Sequence, residues 1–516
     1  MRPVPKFAAI DIGSNSVRML AAEVSGDGPL VPLASDRQVT RLGESVFRQG
    51  RFSEEAMDTV CASLRRMAAA YRKFDVAGVR AVATAATRDA SNQVEFLTRA
   101  SEALGREVEV ISGQEEARLI HLGVLSRWQK RSGKTLLVDV GGGSCEVMLS
   151  SDGRLQSAWS KPLGAVRLTE VFLKQAADPP GKQDLHNLEQ FIDGHLEEPL
   201  EGIGRGAFDH MVATSATAAA IVCGVNRVPR ARREEADGMR ASRTQVRRFY
   251  QTVAARKLAE RKKVTGIGPR RAEIIVAGAA VFSRVLDLFE HPSMHYLAVG
   301  VREGIIQDLA SRGVGRENYA LSREQRAVVE KLAKRFGVNL KRARFVAALE
   351  HQLFDCLSSA HGLPAAWSRL LEAAAYLMDA GHYISDTGHH KHASYVVQNA
   401  DLAGFTEVER RIVAMLCRFH RKSMPAARHT DFQALDAETK RSLVRAIPIL
   451  RLADALDHNR EQHVESLECS LAGGVLSLTI RSGADTGLEQ WAAQRVGDLF
   501  AQHYGIQLVV AGKKSR

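Results

Sequence analysis

Two glycine-rich hairpins, set 128 positions apart, constrain the fold of this chain more than any other feature. The first is FAAIDIGSNSVRML, residues 7–20, and the second is LLVDVGGGSCEVML, residues 136–149. Superposing Asp11 on Asp139 also superposes Gly13 on Gly141 and Ser16 on Ser144. Glycine this dense weakens a strand, so the turn needs it for another purpose. Consecutive backbone N–H groups that converge on one point form an anion-binding nest, and a side chain there would hold a phosphate away. The aspartate at each strand end repels phosphate directly but suits a magnesium ion that bridges to phosphate oxygens. The competing reading is a pair of tight hairpins with capping aspartates. Repetition at the head of two similar halves favours the anion site.

Strand and helix signals alternate over residues 1–127 and again over 128–312. AAIDIG, SVRMLAAEV and VRAVATAA read as strands; SEEAMDTVCASLRRMAAAYRKF and SNQVEFLTRASEAL read as helices. Two such halves in tandem predict a cleft between them. Residues 313–462 are mainly helical in periodicity, and 463–516 read as two strands, a helix and a strand. A chain of 516 residues has the length for several such regions.

The net charge of +12 points to a polyanionic partner. Basic residues concentrate over 247–271 and around HHKH and RFHRK, although solvated helix faces give the same pattern. Aromatic residues make up only 6% and form no stacking platform. A polyanion without bases therefore fits at least as well as nucleic acid, and no specific nucleic-acid partner is expected. No window approaches the roughly 18–20 apolar residues of a membrane span. Asp11 interrupts any N-terminal signal segment, so a cytoplasmic protein is expected, with no membrane partner. The six cysteines, at 61, 145, 223, 356, 417 and 469, lack the paired spacing of metal or redox motifs and read as reduced thiols.

EVISGQEEARLIHLGVL, residues 109–125, holds the candidate catalytic carboxylate. Ser112 followed by Glu115 is a capping box, so a helix is expected to start at Gly113. Leu119, Ile120, Gly123 and Val124 continue an apolar stripe from Glu116. Glu116 thus begins a buried face, where a carboxylate is costly without a function or a partner. Burial would raise its pKa toward that of a general base; a salt bridge to an arginine such as Arg118 is the other reading.

Together with TRLGESV, ATAATRDASN and GVREGII, in the same order, these motifs resemble the exopolyphosphatase/guanosine pentaphosphate phosphohydrolase family, within the actin, hexokinase and Hsp70 superfamily. The resemblance implies an α/β fold: two tandem actin-like (ribonuclease H-like) domains, 1–127 and 128–312, with an interdomain cleft. A mainly helical HD-like domain, 313–462, and a small α+β tail, 463–516, follow. Glu116 would be the base that activates water. Arg88 would neutralise phosphate charge, unless it is a surface arginine at a helix start; Glu303 matches without a defined role. The loops assign phosphate to Gly13, Ser14, Asn15, Gly141, Gly142, Gly143 and Ser144, and magnesium to Asp11, Asp139 and Glu146.

Two departures from the family pattern matter. In MVATSATAAAI, residues 211–221, Ser215 and Ala216 stand where small residues and glycine are common, which disfavours a nucleoside pocket. In the HD-like domain Met378 precedes Asp379 where the defining histidine belongs, and Arg342 falls near the first histidine; Asp379 and Asp454 remain. A thioether and a guanidinium replace imidazole poorly on a hard cation, so this domain is expected to be metal-free and catalytically dead. His389, His390, Lys391, His392, His420, Arg421 and Lys422 then become candidates for a polyanion track, with HHKH as a helix start of satisfied histidines as the other reading. The expected activity is magnesium-dependent release of terminal phosphate from inorganic polyphosphate, and the alternative substrate is guanosine pentaphosphate. A superfamily kinase would need an adenosine pocket and an acceptor site, although Glu116 suits an acceptor as well as water; a non-catalytic alarmone-binding regulator would have no use for the retained carboxylates. The family also implies a homodimer.

Overall fold

The computed structural model describes residues 4–24, 30–130, 132–312 and 320–514. The chain forms two compact units, residues 1–314 and 315–516. The boundary expected at 312/313 borders residues 313–319, which lie outside the described residues.

In the first unit two sheets repeat one plan. β1 (Lys6–Ile12), β2 (Ser16–Val24) and β3 (Leu30–Val39) form an antiparallel meander; β4 (Gly78–Ala83) and β5 (Val108–Val110) extend it from β1 in parallel, in the order β3-β2-β1-β4-β5. The second meander is β6 (Lys134–Val140), β7 (Cys145–Ser151) and β8 (Arg154–Lys161), with β9 (His210–Thr214) and β11 (Ser293–Tyr296) added in parallel from β6. Among the described residues only the antiparallel edge strand β10 (Arg240–Ser242) has no counterpart in the first sheet. The duplicated hairpins are thus β1–β2 and β6–β7. The segment VRAVATAA leaves the strand after Ala83, and Ala85–Asp89 forms a short helix, as an alanine pair favours.

Alternation along β1 sends its side chains to two layers. Ala8, Ile10 and Ile12 join a core with α1 (Glu54–Tyr71) and α2 (Gln93–Leu104), while Phe7 and Ala9 face the opposite side. α3 (Gly113–Leu125) starts as its capping sequence requires, with the Ser112 side chain accepting from the Glu115 N–H at 3.1 Å. In the second half α4 (Lys182–Ile203), α5 (Ser215–Val225) and α6 (Ile275–Leu288) bury their apolar faces with the second sheet.

The halves exchange one helix each. α3 follows the first sheet in sequence, yet its Ala117, Ile120 and Val124 pack on Leu137, Met148 and Val212 of the second. α7 (Val301–Ser311) follows the second sheet, yet its Ile305 and Ile306 pack on Phe7, Ala9, Leu20 and Val82 of the first. The two helices cross where glycines allow backbone contact. A Cβ on Gly304 would lie 1.8 Å from the Leu119 carbonyl oxygen, and one on Gly123 would lie 2.6 Å from that of Gly300.

In the second unit α8 (Leu340–Cys356), α9 (Trp367–Leu377), α10 (His389–Gln398), α11 (Glu407–Phe419) and α12 (Ala437–Ala455) share one apolar cluster with a small sheet. That sheet is β12 (Ser466–Ala472), β13 (Val475–Ser482) and β14 (Gln507–Lys514). Two short helices, Gly487–Gln494 and Gly497–Tyr504, stand between β13 and β14 where one was expected; the glycine at 497 weakens a continuous helix. The cysteine expectation also needs correction. Packing of β12 on α8 brings Cys356 and Cys469, 113 residues apart, into a disulfide, and the other four thiols are buried. Such a pairing across distant elements leaves no spacing signal. No described helix is long and apolar enough to cross a membrane.

Gly304→Ala is expected to force α3 and α7 apart and to destabilise the first unit by about 1–3 kcal/mol, the usual range for overpacking. Denaturant unfolding of wild type and variant measures it; an unchanged midpoint would contradict this account of the crossing.

Candidate active site

Register pairing places the two hairpin loops and their acids. Asp11 lies opposite Arg18 across β1–β2, and Asp139 opposite Glu146 across β6–β7. In each loop the first glycine N–H closes the turn: Gly13 donates to the Ser16 carbonyl at 3.2 Å, and Gly141 to that of Ser144 at 3.0 Å. These two amides are spent within their turns, although Gly13 was expected to donate to phosphate. The amides of Ser14, Asn15, Gly142, Gly143 and Ser144 donate to no described backbone acceptor outside the ladders and remain the candidate nest.

The glycines serve a second, unanticipated purpose. A Cβ on Gly143 would sit 2.6 Å from Ser14 Oγ and 2.7 Å from Ala85 Cβ; one on Gly142 would sit 3.1 Å from the Asn15 nitrogen. The two loops therefore press on each other across the cleft. Arg167 ties them further, donating from Nε to the Gly143 carbonyl at 2.7 Å and from Nη2 to Asp89 at 2.6 Å, with its guanidinium 4.0 Å from the Phe47 ring.

Between the sheets lies a cleft of about 360 Å³, lined by Asp11, Asp139, Glu116 and both loops. Burial raises the Asp11 carboxyl above its ordinary value and lifts Asp139 to about 6, against a hydrogen bond from Thr214. Glu116 is raised to about 7, chiefly by burial, with the charges of Asp11 and Asp139 adding to it. Its partner is Arg88 at 3.0 Å, whose Nη1 also donates to the Ile111 carbonyl at 2.8 Å. Arg88 thus holds the candidate base and does not line the cleft. Arg118, the alternative partner of Glu116, is engaged elsewhere.

That engagement is a buried ion cluster behind the site. Arg118 binds Glu115 (2.7 Å) and Asp308 (2.8 Å); Arg80 binds Glu115 (3.0 Å), Asp308 (3.1 Å) and Glu109 (3.3 Å); Arg312 binds Asp308 (2.7 Å). The guanidiniums of Arg118 and Arg80 outweigh desolvation and hold Glu115 below its ordinary value, and Asp308 is lowered in the same way. Glu115 therefore secures α3 at its N-terminus and leaves the neighbouring Glu116 free to face the cleft.

Glu146 lies behind the cleft lining. It is fully buried, with Oε1 accepting from Ser160 Oγ at 2.8 Å and Oε2 without a hydrogen-bond partner. Burial first, then the charges of Glu116 and Asp139, pushes it well above the carboxylate range. Asp11 and Asp139 are the two aspartates on the cleft wall, which Glu116, Glu234 and Glu303 also line. The hard oxygens of the two aspartates, with pKa values lifted by burial, fit a magnesium ion, whose charge would relieve the crowding of carboxylates. Glu303 also lines the cleft, and its Oε2 accepts from the Gly300 N–H at 2.8 Å to cap α7.

The cleft also carries a basic lining, most of which motif reading missed. Arg18, Arg37, Arg233, Arg271 and Arg302 line the cleft. A second cavity, sharing Arg37, Arg233 and Arg271 with the first, adds Arg230 and Arg270 and has no aromatic lining residue. Arg18 donates to Ser16 Oγ (3.2 Å), Arg233 to the Tyr296 hydroxyl (3.4 Å) and Arg271 to Thr217 Oγ1 (3.3 Å), all neutral partners. Burial and neighbouring guanidiniums lower Arg37 to about 10 and Arg271 to about 9, so both stay cationic at neutral pH. Arg18 was legible as the register partner of Asp11; Arg270 and Arg271 lay within the basic stretch 247–271. Ser215 also lines the cleft, in the left-handed region at φ 88°, and its Oγ accepts from the Thr217 and Ala218 amides at the start of α5. A serine here holds a backbone shape that glycine adopts without strain.

The expected polyanion track does not assemble. His389, His390 and His420 are buried, and burial lowers His389 and His390 to about 4, so they are neutral where a cationic track would need charge. Lys391, Arg421 and Lys422 are exposed and His392 half-buried. In the same unit Arg342 sits among Asp379, Asp454 (2.7 Å) and Asp457 (3.0 Å), a guanidinium where an HD-type centre would hold its cation.

Arg88 lowers the Glu116 pKa through both charge and hydrogen bond. A base acts when deprotonated, so kcat/KM should rise with pH through Glu116 ionisation, and Arg88→Ala should move that limb to higher pH. Activity lost near neutral pH should return on the alkaline side. An unmoved limb would mean that Arg88 does not set the protonation of the base.

Comparison with known proteins places these features in context. Residues 20–312 match the Ppx/GppA phosphatase family, and residues 324–492 match Ppx/GppA phosphatase, domain III. A guanosine-5'-triphosphate,3'-diphosphate pyrophosphatase of Vibrio vulnificus is 27% identical over 92% of each chain. Exopolyphosphatase 1 of Mycobacterium bovis is 29% identical over 58% of this chain and 87% of its own. The crystal structure of the Aquifex aeolicus family member superposes with a TM-score of 0.53 and 29% identity, over 61% of this chain and all of that one. With both family models matched in sequence and the duplicated loops at the heads of its two sheets, the chain belongs to the Ppx/GppA phosphatase family.

Proposed function

We propose that the protein is an exopolyphosphatase, which hydrolyses the terminal phosphoanhydride bond of inorganic polyphosphate. The observation that carries this reading is the basic lining. Arg18, Arg233 and Arg271 hydrogen-bond only neutral groups among the described residues, while Arg302 pairs with Glu303 at 3.4 Å; the guanidiniums continue from the cleft into the second cavity and offer a long anion repeated contacts. A nucleobase finds no aromatic platform in that second cavity.

The loop amides would hold the terminal phosphate, and Asp11 and Asp139 would hold magnesium, which supplies charge neutralisation at the phosphate oxygens. Glu116 would accept a proton from the attacking water as its oxygen bonds to the terminal phosphorus. The bond from that phosphorus to the bridging oxygen breaks, and the shortened chain leaves with the electron pair. Such transfer needs positioning and electrostatics more than covalent chemistry from the protein. Glu146 stands buried behind the cleft lining, where burial raises its pKa and so disfavours a second negative charge beside the substrate.

A second reading, hydrolysis of guanosine pentaphosphate, has its own support. Relatives matched along nearly the whole chain are named as guanosine-5'-triphosphate,3'-diphosphate pyrophosphatases. Phosphate release from long-chain polyphosphate and from guanosine pentaphosphate, measured side by side with and without magnesium, separates the two. Glu116→Gln should reduce kcat about 10²–10⁴-fold, the usual contribution of a general base, while the variant still binds polyphosphate. Preference for guanosine pentaphosphate would transfer the assignment to that substrate. Full activity of the variant would remove Glu116 from its role. Arg37→Ala and Arg271→Ala should each raise KM for long chains about tenfold, as loss of a charged hydrogen bond does, and raise it less for tripolyphosphate. Equal effects on both lengths would place these arginines outside the chain path.

A further inference from the structure

Outside the phosphatase cleft, a cluster of side chains in the second unit has no role in the chemistry above. We propose that Asp379, His382 and His389 form a binding site for a divalent transition-metal ion, with zinc the best chemical match. One ligand atom from each residue lies within 4.8 Å of the others, and His382 Nε2 lies 3.5 Å from Asp379 Oδ1. Two imidazoles and a carboxylate are the ligand set of open, three-protein-ligand zinc sites. The site differs from the HD arrangement, whose position Arg342 fills, and it shares only Asp379 with that pattern.

Several features present these atoms as ligands. Asp379 divides its oxygens: Oδ2 binds Arg342, and Oδ1 faces His382. Asp386 orients both rings, its carboxylate meeting His382 Nδ1 at 2.6 Å and its carbonyl meeting His389 Nδ1 at 3.2 Å. With each Nδ1 occupied, the free donor of both rings is Nε2. A carboxylate behind a histidine is the usual outer-shell partner of a metal ligand. The rings are stacked with centroids 3.9 Å apart and planes 17° apart, so their in-plane lone pairs run side by side and one ring must turn for both to meet a single ion. The backbone is built for this approach as well: a Cβ on Gly381 would lie 1.9 Å from the His389 carbonyl oxygen, so only glycine lets α10 come this close to the turn that bears His382.

A cationic group already stands at this position. Arg460 Nη2 contacts His382 Nε2 at 3.2 Å and Asp379 Oδ1 at 3.4 Å. That nitrogen therefore accepts, as a metal ligand must. The Arg460 side chain is 50% exposed and can leave to solvent. Side-chain rotation then brings the three ligands to the roughly 2.0–2.2 Å bonds of zinc.

The test uses the full chain, stripped of metal and held in excess magnesium so that hard-oxygen sites are filled. It is titrated with Co2+, read by visible absorption, and with Zn2+, read by calorimetry. One equivalent of each ion is expected, with the Co2+ bands of a low-coordinate, imidazole-bound centre. His382→Ala should weaken binding at least 100-fold, and Asp386→Asn about 10–100-fold, as loss of an outer-shell partner does. Arg460→Ala should tighten binding. His382 and Arg460 lie outside the apolar core, and circular dichroism verifies that the variants are folded. Absence of a bound equivalent in wild type, or unchanged affinity in His382→Ala, would overturn the proposal.

Discussion

The buried cluster of Arg80, Glu109, Glu115, Arg118, Asp308 and Arg312 fixes the geometry on which the rest of the first unit depends. Three cations and three anions balance there, largely shielded from water, and they come from β4, β5, α3, α7 and the residue that follows α7. Removing one member of such a buried set leaves an uncompensated charge and costs about 3–5 kcal/mol. The cluster clamps α3 to α7 one residue before Glu116. The candidate base is therefore positioned by groups that never touch the substrate.

The cleft combines charges of both signs. Carboxylates and guanidiniums both line it, and each group destabilises its own kind. Burial and like charge lift Asp139 and Glu116, while the same two causes lower Arg37 and Arg271. A bound metal–phosphate pair complements both sets at once, cation to the acids and anion to the arginines. Strain of this kind is common at sites whose ligand restores the balance.

Local sequence patterns were readable where they depend on neighbours in the chain. The two hairpins, the start of α3 at Ser112 and the buried stripe beginning at Glu116 all follow from short-range spacing. What long-range folding decides was not readable. Arg88, 28 residues before Glu116, becomes its partner only when the short helix after β4 meets α3. The glycines at 142 and 143 looked like room for phosphate, and the structure adds contact with the opposite loop. The Cys356–Cys469 bond joins a helix end to a strand, and His389 and His390 turn inward because α10 packs against α11. In each case tertiary contact, invisible in one dimension, decides what the side chain does.

The exchange of α3 and α7 has a consequence for synthesis. The face of the first sheet that carries Phe7, Ala9, Leu20 and Val82 packs with Ile111 and with Leu119 of α3, and gains the rest of its cover from Ile305 and Ile306 of α7. When the ribosome has finished the first sheet and α3, the rest of that cover is still to be made. At translation rates of about 5–20 residues per second, the gap lasts on the order of 10–40 s. The nascent chain thus leaves part of an apolar β-surface exposed for much of its elongation, and the first half reaches its native form only when the second half is nearly complete.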